Sequence, residues 1–305
     1  MSSRFGAHHA RCVAALMVGL AVPSAAQKPA EFKIKDRRCA IDYVSVPSGR
    51  HGLEELNVGG SWRMGAGGPT TLAADLPILS GDRIIAPGGY LLTARRVADQ
   101  QVNFELDQAG AALGGSGALQ LDCEMTRLPE KAKKLDIVFN AAGKDEPGMK
   151  PAKIVMLFAQ YQVTAPVKVV AAKPAKAGEW QLDVFTYPKD VIAKRLADGA
   201  GTPICTLRRP DPEDAKKTLA YNAVITKDSA KLIPWTPLPV GRANEGQPPD
   251  AAKIRDGKVE WSAAQKPVAT CDLEKAEFKK NEGLTLRLIC GDQLGVLTFP
   301  DPLKK

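Results

Sequence analysis

The stretch "NVGGSWRMGAGGPTTL", residues 57–72, sets five glycines around one tryptophan and one arginine. Glycine-rich loops cradle phosphate through backbone N–H groups, and arginine grips anions with a planar fork of donors. This stretch lacks the lysine and hydroxyl that finish a phosphate loop, and a strand-like "TTLAADL" follows it instead of a helix. Two roles stay open for Trp62 and Arg63. They bind a ligand, with the indole stacking on a sugar and the guanidinium pairing with an anion. Alternatively, Trp62 plugs one end of a sheet and Arg63 pairs with a carboxylate at the core edge, the simpler reading because tryptophan is usually well buried.

The other residue types narrow the chemistry further. "GGSGA", residues 114–118, imitates a nucleophile elbow but lacks the strand and helix that give one its geometry. Glu54 and Glu55 are adjacent, and neighbours on a strand point to opposite faces. His51 is the one histidine beyond residue 9, in a polar loop that reads as solvated. That excludes a multi-histidine metal centre, and neither a metal nor a cofactor is expected. The acidic "PDPEDA", residues 210–215, lacks calcium-loop spacing and reads as a turn or helix cap. A pair of carboxylates distant in sequence remains the alternative, as in a hydrolase acting on an envelope polysaccharide.

Five cysteines lie beyond the first 26 residues: Cys39, Cys123, Cys205, Cys271 and Cys290. An odd number leaves at least one unpaired. "VATCDLEKAEFKK" and "GLTLRLIC" read as two strands turning near Lys280 and Asn281, which sets Cys271 opposite Cys290 and Leu273 opposite Leu288. Cys39 and Cys123 each sit on the apolar face of an alternating strand. They pair across a core or serve as small buried hydrophobes. No CxxC spacing supports zinc or dithiol chemistry.

The chain start explains why disulfides are admissible. Arg4 and Arg11 precede an apolar run at residues 12–22, and Ser24 and Ala26 occupy the small-residue positions of a cleavage site. A signal peptide over residues 1–26 is expected, with Gln27 as the new start and a periplasmic or secreted location where disulfides form. No later run reaches the length of a membrane span, so no transmembrane segment is expected after signal removal. The formal net charge of +8 is scattered along the chain, which excludes a nucleic-acid footprint and leaves an envelope glycan or another envelope protein as partner.

The elements that must position these residues are strands. "RRCAIDYVSV", "QQVNFELDQ", "ALQLDCEMTRL" and "KKLDIVFNA" alternate apolar and polar residues, and "KIVMLFAQYQVTAPVKVV" opens with an apolar run as a central strand would. Short strands between Gly and Pro turns indicate a mainly β fold: an antiparallel β-sandwich domain over residues 27–172. Residues 173–178 read as a linker to a smaller β-rich domain over 179–305. That domain carries one short helix in "YPKDVIAKRLADGAG", with a proline at its start, Ile192 and Leu196 four apart, and Gly199 as stop. The proline-rich residues 234–250 read as an extended loop.

The first domain resembles a family of exported bacterial proteins of unknown function. The resemblance rests on "IDYVSVPSGR" at 41–50, "WRMGAGGPTTL" at 62–72, "APGGYLLTARRV" at 86–97 and "QVTAPVKV" at 162–169. The family motif reads W-R-T-G-A-N-E-A-T, and Gly67 and Gly68 stand here where the family has Asn-Glu. The resemblance implies export and a β-rich fold and supplies no activity. It leans toward a structural role for the segment in this chain. Together these readings lead to a non-catalytic binding or structural module of the cell envelope.

Overall fold

The structure, a computed structural model, describes residues 29–49, 52–65, 69–107, 119–235 and 253–303. It is mainly β, built from antiparallel sheets, with one α-helix among the described residues. The first sheet orders β1 (Ala30–Ile34), β2 (Arg37–Asp42), β4 (Thr71–Ala74), β7 (Gly88–Ala98), β8 (Gln101–Asp107) and β9 (Leu119–Leu121), with β3 (Ser61–Trp62) also paired to β7. The second orders β11 (Asp136–Ala141), β12 (Met149–Phe158), β13 (Tyr161–Val170), β5 (Ile78–Ser80) and β6 (Arg83–Ile85), with β10 (Glu124–Arg127) on β13.

Pro77 and Pro87 mark where the chain changes sheets. Both prolines lie in the short gaps between paired strands, where no ladder donor is needed. The chain leaves β4, crosses at Pro77, forms the β5–β6 hairpin in the second sheet and returns after Pro87 to open β7. Side chains knit the two sheets together. Phe32 stacks on Phe139 with ring centroids 5.4 Å apart. The Tyr43 hydroxyl donates to Asp136 at 2.9 Å and accepts from the Ile137 N–H, also at 2.9 Å.

The third sheet has nine strands. It runs through β14 (Ala172–Ala177), β15 (Trp180–Phe185), β16 (Thr202–Pro210), β17 (Thr218–Ile225), β18 (Ala230–Trp235), β19 (Arg255–Ala263), β22 (Gln293–Phe299), β21 (Gly283–Cys290) and β20 (Cys271–Lys279). It curls until its last strand returns to its first. Lys173 of β14 ion-pairs with Asp272 of β20, and Trp180 meets Phe278 edge-on at 6.2 Å. Trp180, Leu182, Cys205, Leu207, Leu286, Leu288 and Leu297 fill the concave side and are buried.

Four expectations need correction. Residues 173–178 are no linker: β14 pairs along its length with β15, and a chain of alternating lysine, proline and small residues suits a sheet edge as well as a loop. The run at 153–170 does open on a central strand, β12 between β11 and β13, but its alternating close is a separate strand, because Ala159 takes φ +50° and reverses the chain into β13. Pro234 belongs to β18, opposite Tyr221, not to a loop. Cys39 and Cys123 are buried and unbonded. Cys39 lies on β2 and the Cys123 sulfur accepts from Phe104 N–H of β8 at 3.3 Å; β4 and β7 lie between those strands, a spacing of about 14 Å against the roughly 7 Å limit for a disulfide. Residues 1–28, His51, "GGSGA" and residues 236–250 lie outside the described residues.

The halves are joined without a spacer. Val170 ends β13, Ala171 receives a hydrogen bond from Thr186 N–H and donates to Gly148 O, and β14 begins at the next residue. Gly148 has φ +75° and backs onto the Thr186 carbonyl so closely that a side chain there would strike it. One hydrophobic cluster runs through both halves. Polar contacts cross the same boundary. Arg37 grips Asp183 with two hydrogen bonds, at 2.7 and 2.9 Å, and Arg208 reaches Asp75 at 3.4 Å. Burial disfavours the Arg37 cation, but its hydrogen bond and charge pairing with Asp183 outweigh that and raise its pKa. Burial lowers the pKa of Arg208, against the pull of Asp75 and Asp183.

Candidate functional site

Where the halves meet, helix α1 (Lys189–Ala197) packs on β16 and β21, is tied to the β5–β6 turn at Asp82, and borders a groove of about 660 Å³ against the second sheet. An adjoining recess of about 440 Å³ continues it along the first turn of the helix. Both volumes fall in the range of binding clefts. The local sequence accounts for the placement. Pro188 has an extended ψ of 146° and caps the helix, and Gly199, at φ +65°, follows its end. Ile192 and Leu196 are buried, which turns Val191 and Ala193 toward the groove.

Tyr187 fixes the foot of the helix. It is fully buried, and its hydroxyl donates to Pro203 O at 2.7 Å. Burial raises its pKa well above the ordinary tyrosine value, so it stays a neutral donor. At the other end of the helix Arg195 donates to Asp82 O at 2.7 Å and to Gly201 O at 2.7 Å, tying α1 to the β5–β6 turn and to its own exit.

The opposite wall comes from the second sheet and the turn before β12. Pro147, Pro151, Pro166 and Pro188 line the groove, giving rigid apolar edges with no backbone donor. Glu146 and Lys168 pair across the rim at 2.7 Å, and Asp190 stands at the helix start. Prolines and aliphatic side chains therefore make the floor, and charges of both signs make the rim. Glu146 is engaged by Lys168 and is not poised as an isolated acid. Among the described residues, none that lines either part of the groove is aromatic.

The residues singled out in the sequence lie elsewhere. Trp62 is half-buried on β3, opposite Ala94 of β7, and its ring rests on Phe158 at 4.6 Å. Phe158 ends β12 and the groove lining on that strand reaches Ala152, six residues before it, so Trp62 stands roughly 20 Å from the near edge of the groove. Arg63 is exposed and has no ion pair or hydrogen-bond partner among the described residues. Met64 next to it is fully buried at φ +46°, and Thr70 donates its hydroxyl to the Met64 carbonyl, which closes this loop. The side chains of Trp62 and Arg63 thus diverge, one onto Phe158 and the other into solvent.

A smaller cavity of about 160 Å³ beside Tyr161 contains Arg96 and Arg127. Arg96 is occupied. Its guanidinium donates to the carbonyls of Glu54, Leu56, Ala98 and Asp99, at 2.6, 2.6, 3.3 and 2.7 Å. It therefore fastens two loops together and does not present a free anion clamp. Sequence reading missed Arg96, because loop carbonyls carry no side-chain signature.

Cys271 and Cys290 lie opposite each other on β20 and β21, with Cα atoms 4.1 Å apart and sulfurs within bonding distance. Leu273 faces Leu288; the turn centred on Asn281 sets the register from Lys279–Gly283 to Lys275–Arg287, and a bulge between Leu273 and Lys275 shifts it by one residue to make these pairs. The three other cysteines are buried, and burial pushes Cys39 and Cys123 up to about 12 and Cys205 higher still, which keeps them inert thiols. Among the described residues no cluster of three or more His, Cys, Asp or Glu is placed to hold a metal. No described helix is long and apolar enough to cross a membrane. No protein-family model, curated protein or solved structure matches this chain.

Proposed function

We propose that this protein is an exported, non-catalytic module of the cell envelope that binds an extended segment of another envelope protein in the groove along α1. The observation that carries this reading is the groove itself, an apolar, proline-edged cleft with a mixed-charge rim, built where the two halves join. Rigid apolar walls accept extended backbone and small side chains, and rim charges fix orientation. Export is supported by the basic and apolar chain start, by the resemblance to exported proteins and by the bonded cysteine pair, which fits an oxidising compartment.

A glycan partner is less favoured. Sugar faces are held by exposed aromatic rings, whereas the described lining of the groove is proline, aliphatic and charged, and Trp62 directs its ring onto Phe158. Among the described residues, the carboxylates whose pKa values shift clearly are Asp82, Asp214 and Glu277. All move down, through contacts with lysine side chains and, first for Asp214, a backbone N–H. A glycosidase needs an acid whose pKa is raised.

Panning a peptide library on the mature protein tests the reading, with Ala193→Trp as a plugged counter-target. Ala193 is exposed, so the indole fills the recess without disturbing the core. Peptides that hold the native protein and not the plugged one are expected. Peptides indifferent to the plug, or retention of muropeptides that is lost in Trp62→Ala, would move the site away from the groove.

A further inference from the structure

We infer that the Cys271–Cys290 disulfide is an oxidation-dependent latch that holds one wall of the groove. The inference takes its site from the reading above, but its test needs no ligand. The wall in question is residues 188–193 together with Ala269 and Thr270. Backbone contacts pin these two segments to each other. Lys189 N–H donates to Ala269 O at 3.3 Å, Cys271 N–H donates to Tyr187 O at 2.9 Å, and Pro188 bridges to Thr270. The first turn of α1 is thus positioned by the three residues at and before Cys271.

Those residues belong to the weak end of their hairpin. A bulge between Leu273 and Lys275 interrupts the β20–β21 ladder, and only three residue pairs lie beyond it: Cys271 with Cys290, Asp272 with Ile289 and Leu273 with Leu288. Short ends beyond a bulge fray, because few hydrogen bonds offset the entropy of ordering them. The disulfide sits at the far tip of this end. Its other cysteine adjoins Gly291, whose carbonyl accepts from Val268 N–H at 2.9 Å and over which the Lys189 side chain lies. One covalent bond therefore ties together the β21–β22 turn, the start of β20 and the start of α1. Two exposed ion pairs act beside it, Lys173–Asp272 and Lys189–Asp292, the second at 4.0 Å, and salt screens both.

Opening the latch is ordinary thiol–disulfide exchange with a dithiol. One thiolate of the reagent attacks a cysteine sulfur, the S–S bond breaks, and a mixed disulfide forms. The second thiolate then displaces the protein sulfur, leaving two protein thiols and an oxidised reagent, with two electrons transferred. A chain that has not met an oxidant would hold this wall loosely, so the groove is completed only after the protein reaches a disulfide-forming compartment.

Amide hydrogen exchange on the oxidised protein, the dithiol-reduced protein and the Cys271→Ser/Cys290→Ser protein tests the latch. Exchange at positions 189 and 271 is expected to rise at least about tenfold in the last two. The Val170 and Leu135 amides, bonded to Pro77 O and Val46 O in the first half, are expected to keep their protection. Unchanged protection at 189 and 271 would overturn the inference. So would equal loss at all four amides, because the disulfide would then be a general staple with no particular hold on the groove.

Discussion

The two halves of this protein solve the same problem in different ways. An antiparallel sheet has edges, and an unprotected edge invites pairing with other chains. In the first half two sheets cover one another's edges. Phe32 of edge strand β1 stacks on Phe139 of edge strand β11, and Arg83 of edge strand β6 donates to Gln120 O of edge strand β9. The second half has a single sheet that curls until β14 and β20 meet, and few side chains close that seam. The comparison teaches where strength lies. Packing two sheets spreads the closure over many core contacts. Curling one sheet concentrates it on Trp180 and its partners, which is also the half that carries the disulfide.

The comparison can be broken most forcefully at Trp180. Its ring is fully buried between Tyr221 and Phe278, at 6.0 and 6.2 Å. Trp180→Ala is expected to cost about 4 kcal/mol, read as a lowered urea midpoint, with exchange protection lost first in β14, β15 and β20. A loss confined to the first half would contradict the account.

Asp183→Ala tests whether the halves depend on each other. It leaves Arg37 without its bidentate partner and Arg208 with a weaker field, and should cost about 3 kcal/mol in thermal or urea unfolding. Arg96→Ala, which frees four loop carbonyls in the first half alone, should cost about 1–2 kcal/mol and leave the groove amides protected.

The smallest effect is at Asp82, which links the β5–β6 turn to Lys194 of α1. The hydrogen bond and charge of Lys194 hold Asp82 below its usual value of 3.8. A carboxylate with a depressed folded pKa stabilises above its unfolded value, and that contribution fades as pH falls through the folded value. Asp82→Asn should flatten the acid limb of the stability curve below about pH 4, by an amount that shrinks in salt.

How much of this was legible in the sequence depended on whether the deciding signal was local. The Cys271–Cys290 pairing was legible because both strands and the turn near Lys280 and Asn281 could be read; the turn itself is centred on Asn281, and the bulge between Leu273 and Lys275, which carries no sequence signal, restores the register. Helix α1 was legible from Pro188, Ile192, Leu196 and Gly199 together. The β12–β13 hairpin was hidden, since Ala159 reverses the chain at positive φ without glycine or asparagine to announce it. Cys39 and Cys123 looked pairable because alternation reports which face a residue takes and says nothing of strand order. The groove was invisible for a related reason. Its walls come from residues 146–152, 166–168 and 188–193, brought together by the junction of the halves. Trp62 and Arg63 drew attention by composition, yet one packs on Phe158 and the other faces solvent.

The most direct measurement is site-specific photo-crosslinking in intact cells, with the crosslinker at Val191 in the groove and, separately, at Lys258 on the exposed face of β19. The account predicts one discrete protein adduct from Val191 that disappears when Ala193→Trp is added, and no such adduct from Lys258. The same adducts from both positions, or a Val191 adduct that persists with the groove plugged, would contradict it.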